Sequence, residues 1–156
     1  MCCRAHWLTL GLLGALGLFG CGDDDSGTRP NESNVSAHGA TRSHNAGENC
    51  ISCHRQGGEG KGWFTVAGTV YRSNQVDVAP NATIELRDRP LGGGELLHTI
   101  EVDALGNFYT TEEIDFSPGL FPGVTGDGGT RWKSLETYDG ECTLCHGVTE
   151  PRLAID

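Results

Sequence analysis

The 156-residue chain is predicted to be all-β, with a small sandwich over residues 62–135. Three observations predict it. Short runs alternate apolar and polar residues and are rich in β-branched side chains. Turn signals separate these runs at regular spacing. No long stretch carries a helical period.

The elements follow in chain order. Residues 1–20 read as an export signal, with Arg4 ahead of an apolar run from Trp7 to Phe19. That run is too short and too glycine-rich for a spanning helix. It ends in Leu18-Phe19-Gly20-Cys21, which resembles the lipobox of bacterial lipoproteins. The resemblance implies cleavage before Cys21 and a lipid on Cys21. The alternative is a plain secretory signal that ends near a cysteine. Residues 21–47 are small and polar, with Val35 as the only strongly apolar side chain. They bury too little to offset ordering entropy, so a flexible tether is expected.

Residues 48–61 and 136–156 each hold a Cys-x-x-Cys-His motif: Cys50, Cys53 and His54, then Cys142, Cys145 and His146. This is the attachment pattern of c-type haem. Two thiols form thioethers with the porphyrin, and the histidine becomes the proximal iron ligand. Two covalent haems are therefore predicted, with His54 and His146 as iron ligands. A zinc ribbon separates its cysteine pairs by about 15–20 residues, whereas 88 lie between Cys53 and Cys142. A zinc site built from four distant cysteines and two redox-active local disulfides are the rival readings. Once residues 1–21 are accounted for, no cysteine remains for a structural disulfide.

Distal ligands are open. Met1 is the only methionine and departs with the signal, so a methionine ligand is excluded in the mature chain. The candidates are His44, His98 and His38. His44 lies six residues before Cys50. His38 lies further out, and each of these two reads equally as a solvated linker histidine. His98 shares a strand face with Leu96, Ile100 and Val102, where a satisfied core or edge histidine is the plainer reading. If two of the three ligate, both irons are bis-histidine. If fewer do, one iron keeps an open position.

The sandwich strands are read at Phe64–Tyr71, Ala82–Leu86, Leu96–Val102 and Asn107–Thr110, with more within Ile114–Val124 and Thr130–Leu135. Turns are read at Ala79-Pro80-Asn81, Asp88-Arg89-Pro90, Gly92-Gly93-Gly94, Asp103–Gly106 and Gly126–Gly129. Val66-Ala67-Gly68-Thr69-Val70-Tyr71, Ala82-Thr83-Ile84-Glu85-Leu86 and Val102-Asp103-Ala104-Leu105-Gly106-Asn107-Phe108-Tyr109 resemble the carboxypeptidase regulatory-like domain. The resemblance covers about residues 63–125. It implies a seven-stranded, transthyretin-like sandwich, generally an accessory or binding module without its own catalysis. Taken together, the segments resemble small lipoproteins in which a sandwich sits between two haem motifs. Such a sandwich has a marginal core alone, so haems are expected to pack on its ends or edges.

Trp63, Phe64, Trp132 and Tyr138 are candidates to line porphyrin faces, and Arg55, Lys61 and Arg152 to pair with propionates. Asp127 reads as part of a simple turn rather than a calcium site. Losing Arg4 with the signal leaves 10 of 11 basic residues against 21 acidic ones, a net charge of −11. That excludes nucleic acid and electrostatic binding to anionic lipid, and it favours redox partners with basic docking surfaces. No nucleophile–base pair, phosphate loop or paired-carboxylate pattern predicts an enzyme. The expectation is an exported, lipid-anchored electron carrier on the periplasmic or cell-surface side of a bacterial membrane. The alternatives are a sandwich that binds a ligand and a haem sensor or peroxidase with an open iron position.

Overall fold

The computed structural model describes residues 30–156. The predicted signal, Cys21 and the first part of the predicted tether lie outside the described residues. Six strands follow one another: β1 (Val66–Thr69), β2 (Thr83–Arg87), β3 (Leu96–Glu101), β4 (Asn107–Thr110), β5 (Phe121–Gly126) and β6 (Gly129–Trp132). The chain is mostly β, and all strand pairing is antiparallel. β1 pairs with β4 in one sheet, and the other has the order β3-β2-β5-β6.

Alternation places the core. Ile84 and Leu86 of β2, Ile100 of β3, Val124 of β5 and Phe108 of β4 are buried in one cluster with Val66, Val70, Val102 and Leu120. Partners across the strands bring these residues together, as with Ile84 between Ile100 and Val124. The β3–β4 turn has a side-chain cap. Asp103 is fully buried, and its Oδ1 accepts from Leu105 N at 2.9 Å and Asn107 N at 3.0 Å. Gly106 takes φ +81°, which suits glycine, and its space is closed by Val78. Asp127 sits in the two-residue turn between β5 and β6.

β1 is buried along its whole length rather than on alternate residues. Its inner face meets the core. Its outer face carries Ala67, which clusters with Phe64, Tyr109, Cys50 and Ile51. The first motif thus covers one side of the two-stranded sheet. The free edge of β1 is covered as well. Ala67 N donates to Gly140 O (3.0 Å), Tyr71 N to Leu153 O (2.8 Å) and Ile155 N to Tyr71 O (2.8 Å). Residues 140–155 therefore run beside β1 in parallel bridges. The short helix α1 (Cys142–Cys145) lies within this stretch. Gly68 makes the approach feasible: a Cβ there would come within 2.6 Å of the Phe108 ring and 3.1 Å of Cys142.

The described part of the predicted flexible tether, residues 30–47, lies on the sandwich. Ser36 is buried, and its hydroxyl reaches Glu101 O at 2.6 Å. Ser36 N donates to Tyr109 O (2.9 Å), Ala104 N to Ala40 O (2.9 Å) and Gly47 N to Thr69 Oγ1 (2.8 Å). Low apolar content suggested a free segment. Backbone and hydroxyl hydrogen bonds to strand ends hold it instead, and these leave no hydrophobic signature. No helix among the described residues is long and apolar enough to cross a membrane.

Candidate cofactor site

The first motif begins with a 3-10 turn, Cys50–Ser52, capped by the Asn49 side chain, which accepts from Ile51 N at 3.2 Å. The second motif is the single turn of α1, closed by His146 N donating to Cys142 O at 3.0 Å. Each turn places two sulfurs and one imidazole on a short stretch of backbone. Cys53 and Cys145 are exposed, whereas Cys50 and Cys142 are half-buried. Burial pushes the Cys50 thiol up. Burial, helped by nearby Asp139, pushes the Cys142 thiol up to about 12.

The two motif histidines share one arrangement. His54 Nδ1 lies 2.9 Å from Lys61 O, and His146 Nδ1 lies 2.8 Å from Pro151 O. A carbonyl can only accept, so each Nδ1 is the donor, and Nε2 is the nitrogen that could take a metal. The rings are also fixed in orientation. His54 stacks on Phe64 with centroids 4.2 Å apart and planes 5° apart. Phe64 in turn stacks on Tyr109 at 4.8 Å. Gly60 closes on His54 from nearby, where a Cβ would come within 2.7 Å of the imidazole.

A cavity of about 540 Å³ opens at the first motif, lined by Cys50, Cys53, His54, Phe64 and Tyr109, and by His44 and Arg42 from the preceding segment. That volume falls among cofactor and ligand sites, roughly 300–1,000 Å³. The His44 and His54 rings are 6.0 Å apart, with planes inclined by 40°. Imidazole nitrogens bind transition metals at about 2 Å, so two rings on opposite sides of one ion have centroids roughly 6 Å apart. The residues present fit a c-type haem, which Cys50 and Cys53 could hold, with His54 and His44 both on the cavity wall.

A buried network places His44. Asn107 is 1% exposed. Its Oδ1 accepts from Thr69 Oγ1 at 2.6 Å, and its Nδ2 donates to Ser43 Oγ at 2.9 Å and to His44 O at 3.4 Å. Thr69 Oγ1 also accepts from Gly47 N. β1 and β4 therefore grip the loop on both sides of His44. Sequence reasoning missed Asn107, Thr69 and Arg42. The only available signal was a polar residue opening an otherwise apolar strand.

The other candidates are elsewhere. His38 Nε2 is 3.0 Å from Ala82 O, beside the start of β2. His98 is half-buried in β3, opposite Leu86. Trp132 packs against Gly92 and Gly123, with the Arg87 guanidinium 5.2 Å from its ring. Arg152 lies 4.5 Å over Tyr71 and donates to Gln75 O. Trp63 is half-buried, while Tyr138, Arg55 and Lys61 are exposed.

At the second motif, the Thr143 hydroxyl is buried without a hydrogen-bond partner, and Leu144 and Val148 are exposed large apolar side chains. The two motifs adjoin: Asn49 Nδ2 donates to Glu141 Oε2 at 3.2 Å, one residue before each first cysteine. Among the described residues, no three His, Cys, Asp or Glu side chains form a metal-holding group. Comparison of the chain with protein-family models, curated proteins and solved structures returned no match.

Proposed function

We propose that this chain is an exported, lipid-anchored dihaem c-type cytochrome that transfers electrons, built on a transthyretin-like sandwich. The observation that carries the proposal is the repeated histidine geometry. In both Cys-x-x-Cys-His motifs, Nδ1 is held by a backbone carbonyl and Nε2 is left for iron.

The residues take distinct roles in this reading. Cys50 and Cys53 hold one porphyrin, and Cys142 and Cys145 the other. His54 and His146 are the proximal ligands, and His44 is the distal ligand of the first iron. Arg42, on the cavity lining, would be available to pair with a propionate. Bound haem supplies one-electron chemistry. The protein contributes ligation, orientation and partial exclusion of water. Lipid on Cys21 would tether the carrier at a bacterial membrane surface. The acidic surface would favour basic redox partners.

The test is stoichiometry. Protein produced with a cytochrome c maturation system should show two haem increments by intact mass, matched by the pyridine haemochrome. Replacing Cys50 and Cys53 together by serine should remove one. Zinc without haem in the purified chain would refute the proposal.

A further inference from the structure

The two motif segments differ in the charge they present. Around the first, Arg42, Glu48, Arg55, Glu59 and Lys61 are all exposed and of mixed sign. Around the second, residues 134–151 carry Glu136, Asp139, Glu141 and Glu150 and contain no lysine or arginine. Among the described residues the ion pair is Arg87 with Glu85, and none of these four carboxylates is in one.

Three large apolar or aromatic side chains stand in the open among these acids: Tyr138 (62% exposed), Leu144 (55%) and Val148 (74%). The backbone gathers them on one compact piece of chain. Cys145 O accepts from Val148 N at 3.1 Å and from Thr149 N and Glu150 N at 3.0 Å. Leu144 N donates to Glu141 O at 2.9 Å, and Gly147 N to Glu150 O at 2.8 Å. Leu144 and Val148 thus rise from one knot with Glu141 and Glu150 at its two ends. Asp139 joins it, because its Oδ1 accepts from Glu141 N at 3.0 Å. The piece is anchored to the sandwich through Gly140 O, which accepts from Ala67 N, and through the pairing of Thr137 with Leu120.

Exposed apolar side chains with a polar rim mark contact surfaces for other proteins. A rim of one sign speeds encounter with the opposite charge and rejects acidic partners, a second copy of this chain included. A face already fixed by its own backbone loses little freedom on binding. We propose that residues 136–150 form the docking face of the molecule, and that the partner is a basic electron-transfer protein with lysines or arginines around an apolar patch. That the partner carries electrons rests on the cytochrome reading; the place of docking does not.

Mitochondrial cytochrome c, a lysine-rich redox protein, serves as the probe. The purified full chain, with its haem content counted first, is titrated with the probe by calorimetry at low ionic strength. Replacing Glu136→Gln, Asp139→Asn and Glu150→Gln together should weaken binding about tenfold. These changes keep an acceptor oxygen for the Tyr138 hydroxyl and for Glu141 N. Replacing Glu112→Gln, Glu113→Gln and Asp115→Asn together removes the same charge from another exposed stretch. It should change affinity by less than about twofold. Leu144→Gln with Val148→Gln should also weaken binding. Carbodiimide coupling should join probe lysines to carboxylates within 136–150. Equal weakening by the two triple variants would overturn the inference, since net charge alone would then account for binding. So would absence of binding, coupling confined to other carboxylates, or unchanged affinity after the Leu144 and Val148 replacements. A chain without haem would end the cytochrome reading, and the two triple variants would still decide the surface.

Discussion

Asn107 shows how one buried amide at the wall of a candidate site can position a side chain across it. It satisfies Thr69 through its carbonyl oxygen and Ser43 and the His44 carbonyl through its nitrogen. Replacing it by alanine leaves these groups without partners in a buried place, at a cost of about 1–3 kcal/mol. In the haem-bearing protein, Asn107→Ala should lower the melting temperature and convert part of the first iron to high spin. Haem content should stay at two, because thioethers and His54 hold the ring independently. A purely structural role would lower the melting temperature and leave the spin state unchanged. Little of this was legible in the sequence. The two Cys-x-x-Cys-His motifs were, because their pattern is local and needs no long-range contact to be seen. His44 stood out only by lying six residues from Cys50. Its position opposite His54 depends on Asn107, which is 63 residues further along the chain. No local pattern reports a contact of that span.

At the scale of elements, alternation revealed β2 almost to the residue, since one of its faces lies in the core, whereas β4 is buried at every position and was marked by the turn before it. β5 was read too broadly, because Pro118, Gly119 and Pro122 blur the start of a strand that begins at Phe121. The predicted tether beside the sheet was misjudged for another reason. Residues 30–47 and 140–155 attach through backbone hydrogen bonds, and composition does not register those. The attachment of 140–155 has a consequence for the thiols. Cys142 packs against the core, and its thiol is pushed up to about 12 by burial, against about 8.5 for an ordinary thiol. In the chain made without haem, the folded state therefore keeps a proton that the unfolded state loses above about pH 8.5. Stability should be unaffected by this group below that pH and should fall as pH rises from there toward 12. Urea midpoints measured across pH 7–11 should decline more steeply in the native sequence than in Cys142→Ala. Equal slopes would show that the thiol is not desolvated. Alkylation gives a second readout: Cys145, which is exposed, should react at neutral pH well before Cys142.

For the whole molecule, the arrangement of the two motifs around one strand matters most. The first lies over the outer face of β1, and the second along its free edge. Asn49 and Glu141 join them directly. If both carry haem, the two centres are neighbours within one small domain rather than opposite poles of a sandwich. Charge added at one must then be felt at the other. Unit charges 10–15 Å apart at an effective dielectric constant near 20 interact by about 1–2 kcal/mol. For a one-electron couple that is a shift of roughly 40–90 mV. The sign follows from charge. The first electron makes its neighbour more negative and lowers the neighbour's potential. A spectroelectrochemical titration of the two-haem protein should therefore be broader than the sum of two single-haem variants, Cys50→Ser with Cys53→Ser and Cys142→Ser with Cys145→Ser. The difference should shrink at high salt to the extent that solvent reaches the space between the centres. Replacing Asn49 by alanine should loosen the contact and reduce the difference, while haem content stays at two. A titration of the native protein that superimposes on the sum of the two variants would mean that the adjoining motifs hold their haems too far apart to interact.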